Sequence, residues 1–197
     1  MKKLTKKSLV FLGLFVTMLS YANFEINPIK EKEPKITNVS FKELKLGSML
    51  SIKDLKGIVL YKESILKEGD YSKGFDLTSL PDGSYFFELD TEFEIVIIPF
   101  TVVSNQVAFS KEDKSTIFKP LVRVKGDRVY VSRMSFEKSP IEYKIYYKDS
   151  YDLVLSEEFQ DIKDLKRIYD FSLAKEGSYL FVFKSDGRKF KKTIIIE

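Results

Sequence analysis

The sequence predicts an all-β protein, built as two tandem small antiparallel β-sandwich domains behind an N-terminal signal peptide. Three observations predict this fold class. The N-terminal segment has the parts of an export signal, two later stretches resemble one another, and apolar residues in those stretches alternate with polar ones. Many short alternating segments separated by turns are typical of an antiparallel sandwich or barrel.

Residues 1–22 are predicted to form a cleavable signal peptide. Four lysines lie among the first seven residues, and residues 8–19 form an uncharged apolar stretch that is too short to span a bilayer as a helix. Ser20 and Ala22 then place small residues at the two positions that a signal peptidase recognises. We expect cleavage after Ala22 and export to the periplasm, the cell surface or the medium.

The charge of the chain depends on this signal peptide. The full sequence has 33 Lys and Arg against 29 Asp and Glu, a net charge of +4. The signal peptide holds four of the basic residues and none of the acidic ones, so the mature chain is formally neutral. We therefore expect neither nucleic acid nor an anionic membrane as a partner. No later stretch has the length and apolarity of a transmembrane helix.

Two residue types with catalytic importance are missing, because the sequence contains neither cysteine nor histidine. This excludes thiol catalysis, thiolate metal sites, Ser-His-Asp catalysis and zinc sites with a histidine ligand. We predict a protein that is not an enzyme and that has no cofactor or metal. A hydrolase that works with carboxylates remains the least favoured alternative.

An internal repeat predicts two domains. Residues 41–54 align with 136–149, and 53–60 with 148–155, at a shift of 95 residues; residues 75–77 align with 169–171, and 83–87 with 177–181, at a shift of 94. We place a flexible leader at 23–35, the first sandwich at 36–109, a linker at 110–118 and the second sandwich at 119–197.

Alternation within the repeats predicts which side chains form the cores. Residues 85, 87 and 89 should share one buried face, and residues 179, 181 and 183 the equivalent face of the second domain. Gly83 and Gly177 are predicted to lie in turns that need a positive φ. Residues 160–168 have apolar side chains three apart, which predicts a turn of helix in a crossover loop.

The repeated pattern resembles a known family. Residues 52–59 (IKDLKGIV) and 77–85 (LTSLPDGSY) resemble a signature of small immunoglobulin-like sandwich domains in secreted Bacteroidetes proteins. That family includes the C-terminal sorting domains of type IX secretion cargo and related exported proteins of unknown function. The end of the chain, with Asp186-Gly187 and residues 191–196, resembles the end of a sorting domain. The resemblance implies an immunoglobulin-like fold, no catalytic residues and, as an alternative function, type IX cargo.

Candidate functional residues are few. Asp54, Asp82, Asp149 and Asp186 lie in predicted turns, where Asp serves local hydrogen bonding. Tyr146, flanked by Lys144 and Lys148, is the candidate binding residue, because it falls on the lysine-bearing face of its predicted strand. We predict an exported, non-catalytic module that binds a protein or glycan partner or serves as a structural component of the cell envelope. The sequence predicts neither the ligand nor the oligomeric state.

Overall fold

The computed structural model describes residues 35–110 and 112–197. The predicted signal peptide and all but the last residue of the predicted leader lie outside these described residues. Within them the chain forms thirteen β-strands and a single 3-10 turn at Leu77–Ser79, and no α-helix. The predicted all-β sandwich class is confirmed. In the described part of the chain, no helix has the length and apolarity to cross a membrane.

Contacts divide the described residues into two compact units between Thr116 and Ile117. This point lies inside residues 110–118, the predicted linker, where the structure forms a short strand, Ser115–Phe118. The strand spans the division and is described with the first unit, because it pairs with a strand of that unit. The domain limits derived from the sequence stay predictions.

The first unit has a two-stranded and a six-stranded antiparallel sheet. Its strands are β1 (Ile36–Leu44), β2 (Met49–Asp54), β3 (Val59–Ser64), β4 (Gly69–Asp76), β5 (Gly83–Asp90), β6 (Glu94–Val103), β7 (Gln106–Phe109) and β8 (Ser115–Phe118). β1 pairs with β4, and the larger sheet has the order β3-β2-β5-β6-β7, with β8 also paired to β6. Phe41 and Phe75 from the small sheet are buried in one cluster with Leu50, Phe87 and Leu89 from the large one. The alternating residues of β5 therefore form the core face, as predicted.

The second unit has one five-stranded antiparallel sheet with two very long strands. Its strands are β9 (Leu121–Lys125), β10 (Arg128–Tyr147), β11 (Asp152–Asp170), β12 (Gly177–Ser185) and β13 (Arg188–Ile196). Their order is β11-β10-β12-β13, and β9 pairs with the first part of β10. Tyr143, Phe181 and Phe183 are fully buried, and Ile194 and Ile196 from β13 join the same core.

Strand pairing supports the internal repeat. The pair β1–β4 corresponds to the start of β10 paired with the end of β11. The pair β2–β3 corresponds to the end of β10 paired with the start of β11, next to the connecting turn. In both units the pairing shifts register at the same place, after Ile52 in the first and after Ile145 in the second. Each of these isoleucines also pairs with a phenylalanine, Phe87 or Phe181.

These pairings correct part of the alignment. Ile52 corresponds to Ile145, a shift of 93, so the shift of 95 was wrong by two residues for β2. The shift of 94 for residues 83–87 agrees with the pairing of β5 to β6 and of β12 to β13, in which Gly83 pairs with Val102 and Gly177 with Ile196. The turns after Asp54 and after Tyr147 each span four residues, 55–58 and 148–151. The Lys-Asp pairs that matched at a shift of 95 lie at different points of the two hairpins, because Lys53-Asp54 ends β2 whereas Lys148-Asp149 lies in the turn after β10.

The predicted helical turn at residues 160–168 is wrong, because this segment belongs to β11. Leu165 pairs with Arg133 and Ile168 with Tyr130 across the ladder. Leu165 is fully buried while Ile168 is 36% exposed, so the two side chains do not share a helical face. The register shifts of β11 and the positive φ of Asp161 displaced the apolar residues from strict alternation, which produced a helix-like spacing.

The two predicted turn glycines differ. Gly177 has a φ of +132°, and a Cβ there would lie 2.7 Å from the Tyr147 hydroxyl oxygen. Gly83 has no positive φ, and its Cβ would lie 3.3 Å from the Tyr85 hydroxyl oxygen, so the prediction was wrong for this residue. Each glycine opens a strand, β5 or β12, rather than occupying the centre of a turn.

A buried arginine, Arg133 of β10, forms hydrogen bonds to the backbone of the two long strands of the second unit. Arg133 is 2% exposed and stands where the first unit has Phe41. Its Nη2 donates to the carbonyl and hydroxyl oxygens of Ser139 at 3.1 and 3.0 Å, and its Nη1 lies 3.4 Å from the carbonyl oxygens of Ile162 and Lys163. These carbonyls lie where the ladder shifts register, so the guanidinium supplies donors that the irregular ladder does not.

Candidate binding surface

Tyr146 lies on the outer face of the five-stranded sheet. Tyr143 and Ile145 of the same strand are buried in the core, and successive side chains of a strand point to opposite faces. Tyr146 pairs with Leu153 on β11 and with Leu180 on β12, which gives a row of three apolar side chains across three strands. Leu153 is 55% exposed, and Tyr146 and Leu180 are half-buried. We call these three residues the Tyr146 row.

A charged row runs beside the Tyr146 row. Lys144 Nζ lies 2.8 Å from Glu142 Oε1, and Lys184 Nζ lies 2.9 Å from Glu142 Oε2. The hydrogen bonds from Lys144 and then Lys184 lower the pKa of Glu142 to about 2, and the bond to Glu142 raises the pKa of Lys144. Lys144 is therefore held by a carboxylate on its own strand.

Lys148 does not join this arrangement. It follows the end of β10, where its backbone N–H donates to the Ser178 carbonyl at 2.8 Å and its side chain is exposed. The structure places Tyr146 and Lys144 on one sheet face and Lys148 in the adjacent turn. A partly exposed apolar row with one aromatic ring, beside fixed charges, is suited to contact with a flat apolar ligand surface, such as a sugar ring or a protein side chain.

A buried carboxylate with two tyrosines was missed by the sequence analysis. The hydroxyls of Tyr143 and Tyr169 donate to Glu157 Oε2 at 2.6 and 2.7 Å and also contact each other. Arg167 Nε lies 3.9 Å from the same carboxylate oxygen. Burial first, and then the hydrogen bond to Glu157, raises the pKa of Tyr143. Burial is also the main reason that the pKa of Tyr169 is raised.

The first unit has an equivalent cluster. Glu63 Oε2 accepts hydrogen bonds from Tyr61, from Tyr71 at 3.1 Å and from Lys73 Nζ at 2.7 Å. The bonds from Lys73 and then Tyr61 lower the pKa of Glu63. Glu63 pairs with Leu50 across the ladder as Glu157 pairs with Tyr143.

Both clusters place a glutamate and a cation at matched positions. Glu63 and Glu157 are 94 residues apart, as are Lys73 and Arg167, so the shift of 94 already found for β5 could have revealed them. In each cluster several donors converge on a single carboxylate oxygen. Donors of this kind favour the ionised form of a carboxylate, in agreement with the lowered pKa of Glu63.

The turn aspartates make hydrogen bonds to nearby groups. Asp54 accepts from the backbone N–H groups of Lys56 and Ile58 at 2.9 and 2.8 Å. Asp82 accepts from the Ser104 N–H, and Asp186 from the Ser139 hydroxyl, both at 2.9 Å. Among the residues that the structure describes, no group of three or more Asp or Glu could hold a metal ion.

Comparison with known proteins returned structural similarities alone. No family model and no curated protein matches the sequence, and neither comparison returned the Bacteroidetes sorting domains that the repeats resemble. One similar solved structure is a biofilm associated protein, BSP domain, with 11% identity and a TM-score of 0.30 over 81% of this chain. Another is a tetra-tandem repeat in the extending region of a large adhesion protein, with 12% identity and a TM-score of 0.29 over 90% of this chain. The chain spans 27% and 50% of these two structures, respectively.

Proposed function

We propose that the protein is an exported, non-catalytic module of the cell envelope that binds a protein or glycan through the Tyr146 row. The observation that carries this proposal is the row itself, which lies on an outer sheet face rather than in the core. Leu153 is 55% exposed, and Tyr146 and Leu180 beside it are half-buried, so the row keeps solvent contact. Apolar groups grouped on a surface favour association with a partner.

The chemistry of the row favours recognition by shape and apolar contact. Lys144 and Lys184 form ion pairs with Glu142. A partner that contacts the Tyr146 row therefore does not have to supply a counter-charge for these lysines. The partly exposed Glu63 cluster and the buried Glu157 cluster support the non-catalytic part of the proposal, because their converging donors serve the fold of each unit.

The test is binding to isolated cell envelopes of the cells that produce the protein. Purified protein is mixed with washed envelopes and sedimented, and the bound fraction is measured over a concentration series. We expect saturable binding that Tyr146→Ser weakens about tenfold or more, since loss of a central aromatic contact costs at least 1.4 kcal/mol.

Phe93→Ser is the matched control, because Phe93 is an aromatic residue of the other unit that is 50% exposed. It should bind like the parent protein. Equal binding by Tyr146→Ser and the parent would contradict the proposed surface, and an absence of saturable binding would contradict the envelope role.

Type IX cargo is the alternative function. It requires the second repeat to act as an export address, so residues 119–197 should carry a periplasmic reporter to the surface only in cells with an intact type IX system. We favour the envelope module, because residues 193–196 lie in a paired strand with two buried isoleucines and so have a structural use.

A further inference from the structure

The first unit has an exposed apolar strand at a sheet edge. In the described part of the chain β3 pairs with β2 alone, so its second side carries backbone groups without a neighbouring strand. Val59 is 48% exposed and Leu60 is 45% exposed. Leu55 and Ile58, in the turn just before β3, are 74% and 57% exposed. An exposed apolar edge of this kind favours pairing with another chain.

The second unit has the same kind of edge at the equivalent strand. The first part of β11, residues 152–159, is terminal in its sheet, and Leu153 there is 55% exposed. Val59 and Leu153 are 94 residues apart. Each lies between the turn of its hairpin and the register shift, paired with Lys53 and Tyr146, respectively. Tyr151, in the preceding turn, is 66% exposed.

The opposite edges of the two sheets are poorly suited to pairing. β13 carries the exposed Lys191 and Lys192, and charged side chains on an edge strand oppose the addition of another strand. β7 has four residues, too few for an extended ladder. Exposed apolar side chains at Val59, Leu60 and Leu153 therefore make the β3 and β11 edges better suited to pairing than the β7 and β13 edges.

The two units differ in charge, although the chain after residue 22 is neutral. Residues 36–109 contain 7 Lys and 11 Asp or Glu, a net charge of −4. Residues 119–197 contain 17 Lys or Arg and 13 Asp or Glu, a net charge of +4. Contact between an acidic unit and a basic unit is attractive, whereas contact between two like units is repulsive.

We propose that copies of this chain assemble head to tail, the β3 edge of one copy pairing with the β11 edge of the next. Charge selects this pairing over β3 with β3 or β11 with β11, since each of those joins units of the same sign. Because the two edges differ, the contact is heterologous and extends into rings or open chains. This assembly goes beyond the proposed binding of a partner. Leu153 belongs to both surfaces, whereas Val59 lies in the other unit and outside the Tyr146 row, so Val59→Lys tests the assembly separately from partner binding.

Two substitutions that each block one edge test the proposal. The protein is produced with its own N-terminal segment, purified as the host processes it, and followed by sedimentation velocity in low salt, at ~20 mM, where charge attraction is weakly screened. The parent should form oligomers that grow with concentration. Val59→Lys and Leu153→Lys should each be monomeric alone. Mixed in equal amounts they should form dimers and no larger species, because each supplies the edge that the other lacks.

Leu66→Lys and Ile195→Lys are the matched controls. These residues are 83% and 65% exposed, lie outside both edges, and add the same charge to the first and second unit. Both variants should assemble like the parent, and all four should keep the parent's circular dichroism spectrum. Assembly of the parent should weaken at ~500 mM salt, where the Debye length is only a few Å.

Three results would overturn the proposal. A parent protein that stays monomeric up to ~100 µM has no contact of useful affinity. Dimers of Leu153→Lys alone would indicate symmetric pairing of β3 with β3. A monomeric mixture of the two blocked variants would show that the edges do not pair with each other.

Discussion

At the scale of single residues, each unit contains a glutamate that is held by hydroxyl and cationic donors. Glu157 receives hydrogen bonds from Tyr143 and Tyr169, and Glu63 from Tyr71 and Lys73. Tyr71 and Tyr169 lie on equivalent strands, β4 and the end of β11, whereas Tyr61 lies on β3 and Tyr143 on β10. The glutamate stays at the same ladder position in both units. Glu157 is buried, and burial of a carboxylate without donors is costly, so its donors are required by the fold.

Replacing Tyr143 by Phe tests this cluster. Loss of the hydroxyl takes one donor from Glu157, so the free energy of unfolding should fall by about 1–3 kcal/mol at pH 7. The folded pKa of Tyr143 is raised, whereas in the unfolded chain a tyrosine ionises near pH 10. The stability advantage of the parent over the variant is therefore complete below about pH 10 and shrinks by about 1.4 kcal/mol per pH unit above it.

Urea unfolding between pH 7 and 11 measures both effects. Tyr146→Phe, on the outer face of the same strand, is the control and should unfold like the parent at pH 7. If the two variants were equally stable, the Tyr143 hydroxyl would contribute nothing to the fold.

At the scale of elements, the two units build one hairpin pattern in two ways. In the first unit, one side of the hairpin consists of β1 and β2 and the other of β3 and β4. In the second unit, the continuous strand β10 takes the place of β1 and β2, and β11 takes the place of β3 and β4. Arg133 donates to carbonyls at the irregular part of these long strands. Ile65, by contrast, is buried in the first unit at the connection between β3 and β4.

The last strand, β13, is predicted to be a core element. Ile194 and Ile196 are each 7% exposed, whereas Ile195 between them is 65% exposed. Ile194→Ala and Ile196→Ala should each lower the free energy of unfolding by about 2–5 kcal/mol, and Ile195→Ala by much less. Chemical denaturation of the three variants provides the comparison. Similar losses at all three positions would contradict the assigned alternation.

At the scale of the whole molecule, each unit has its own core. The buried cluster of the second unit draws all its members from residues 122–196, and that of the first from residues 39–102. A unit with its own core can fold by itself.

Expression of residues 117–197 alone tests this independence. We expect a circular dichroism spectrum typical of β structure and a cooperative thermal transition. Val129→Asp, which places a charge in the core of this unit, is the control and should abolish the transition. A non-cooperative transition in the parent fragment would mean that the second unit needs the first in order to fold.

Local pattern was sufficient for much of this fold. Alternation placed Tyr85, Phe87 and Leu89 in one core and Tyr179, Phe181 and Phe183 in the other, because residues two apart in a strand share a face wherever the strand lies. The same rule placed Lys144 and Tyr146 on the outer face. The sequence alone also determined the absence of thiol and imidazole chemistry.

Other features were decided by tertiary structure. Ile162, Leu165 and Ile168 have a helix-like spacing, but their segment forms a strand because β10 pairs with it along its length. Leu153 and Leu180 joined Tyr146 through pairings across the sheet, which no local pattern contains. Strand partners, register shifts and the convergence of tyrosines on Glu157 arise between segments far apart in the chain, so they are determined when the sheets form.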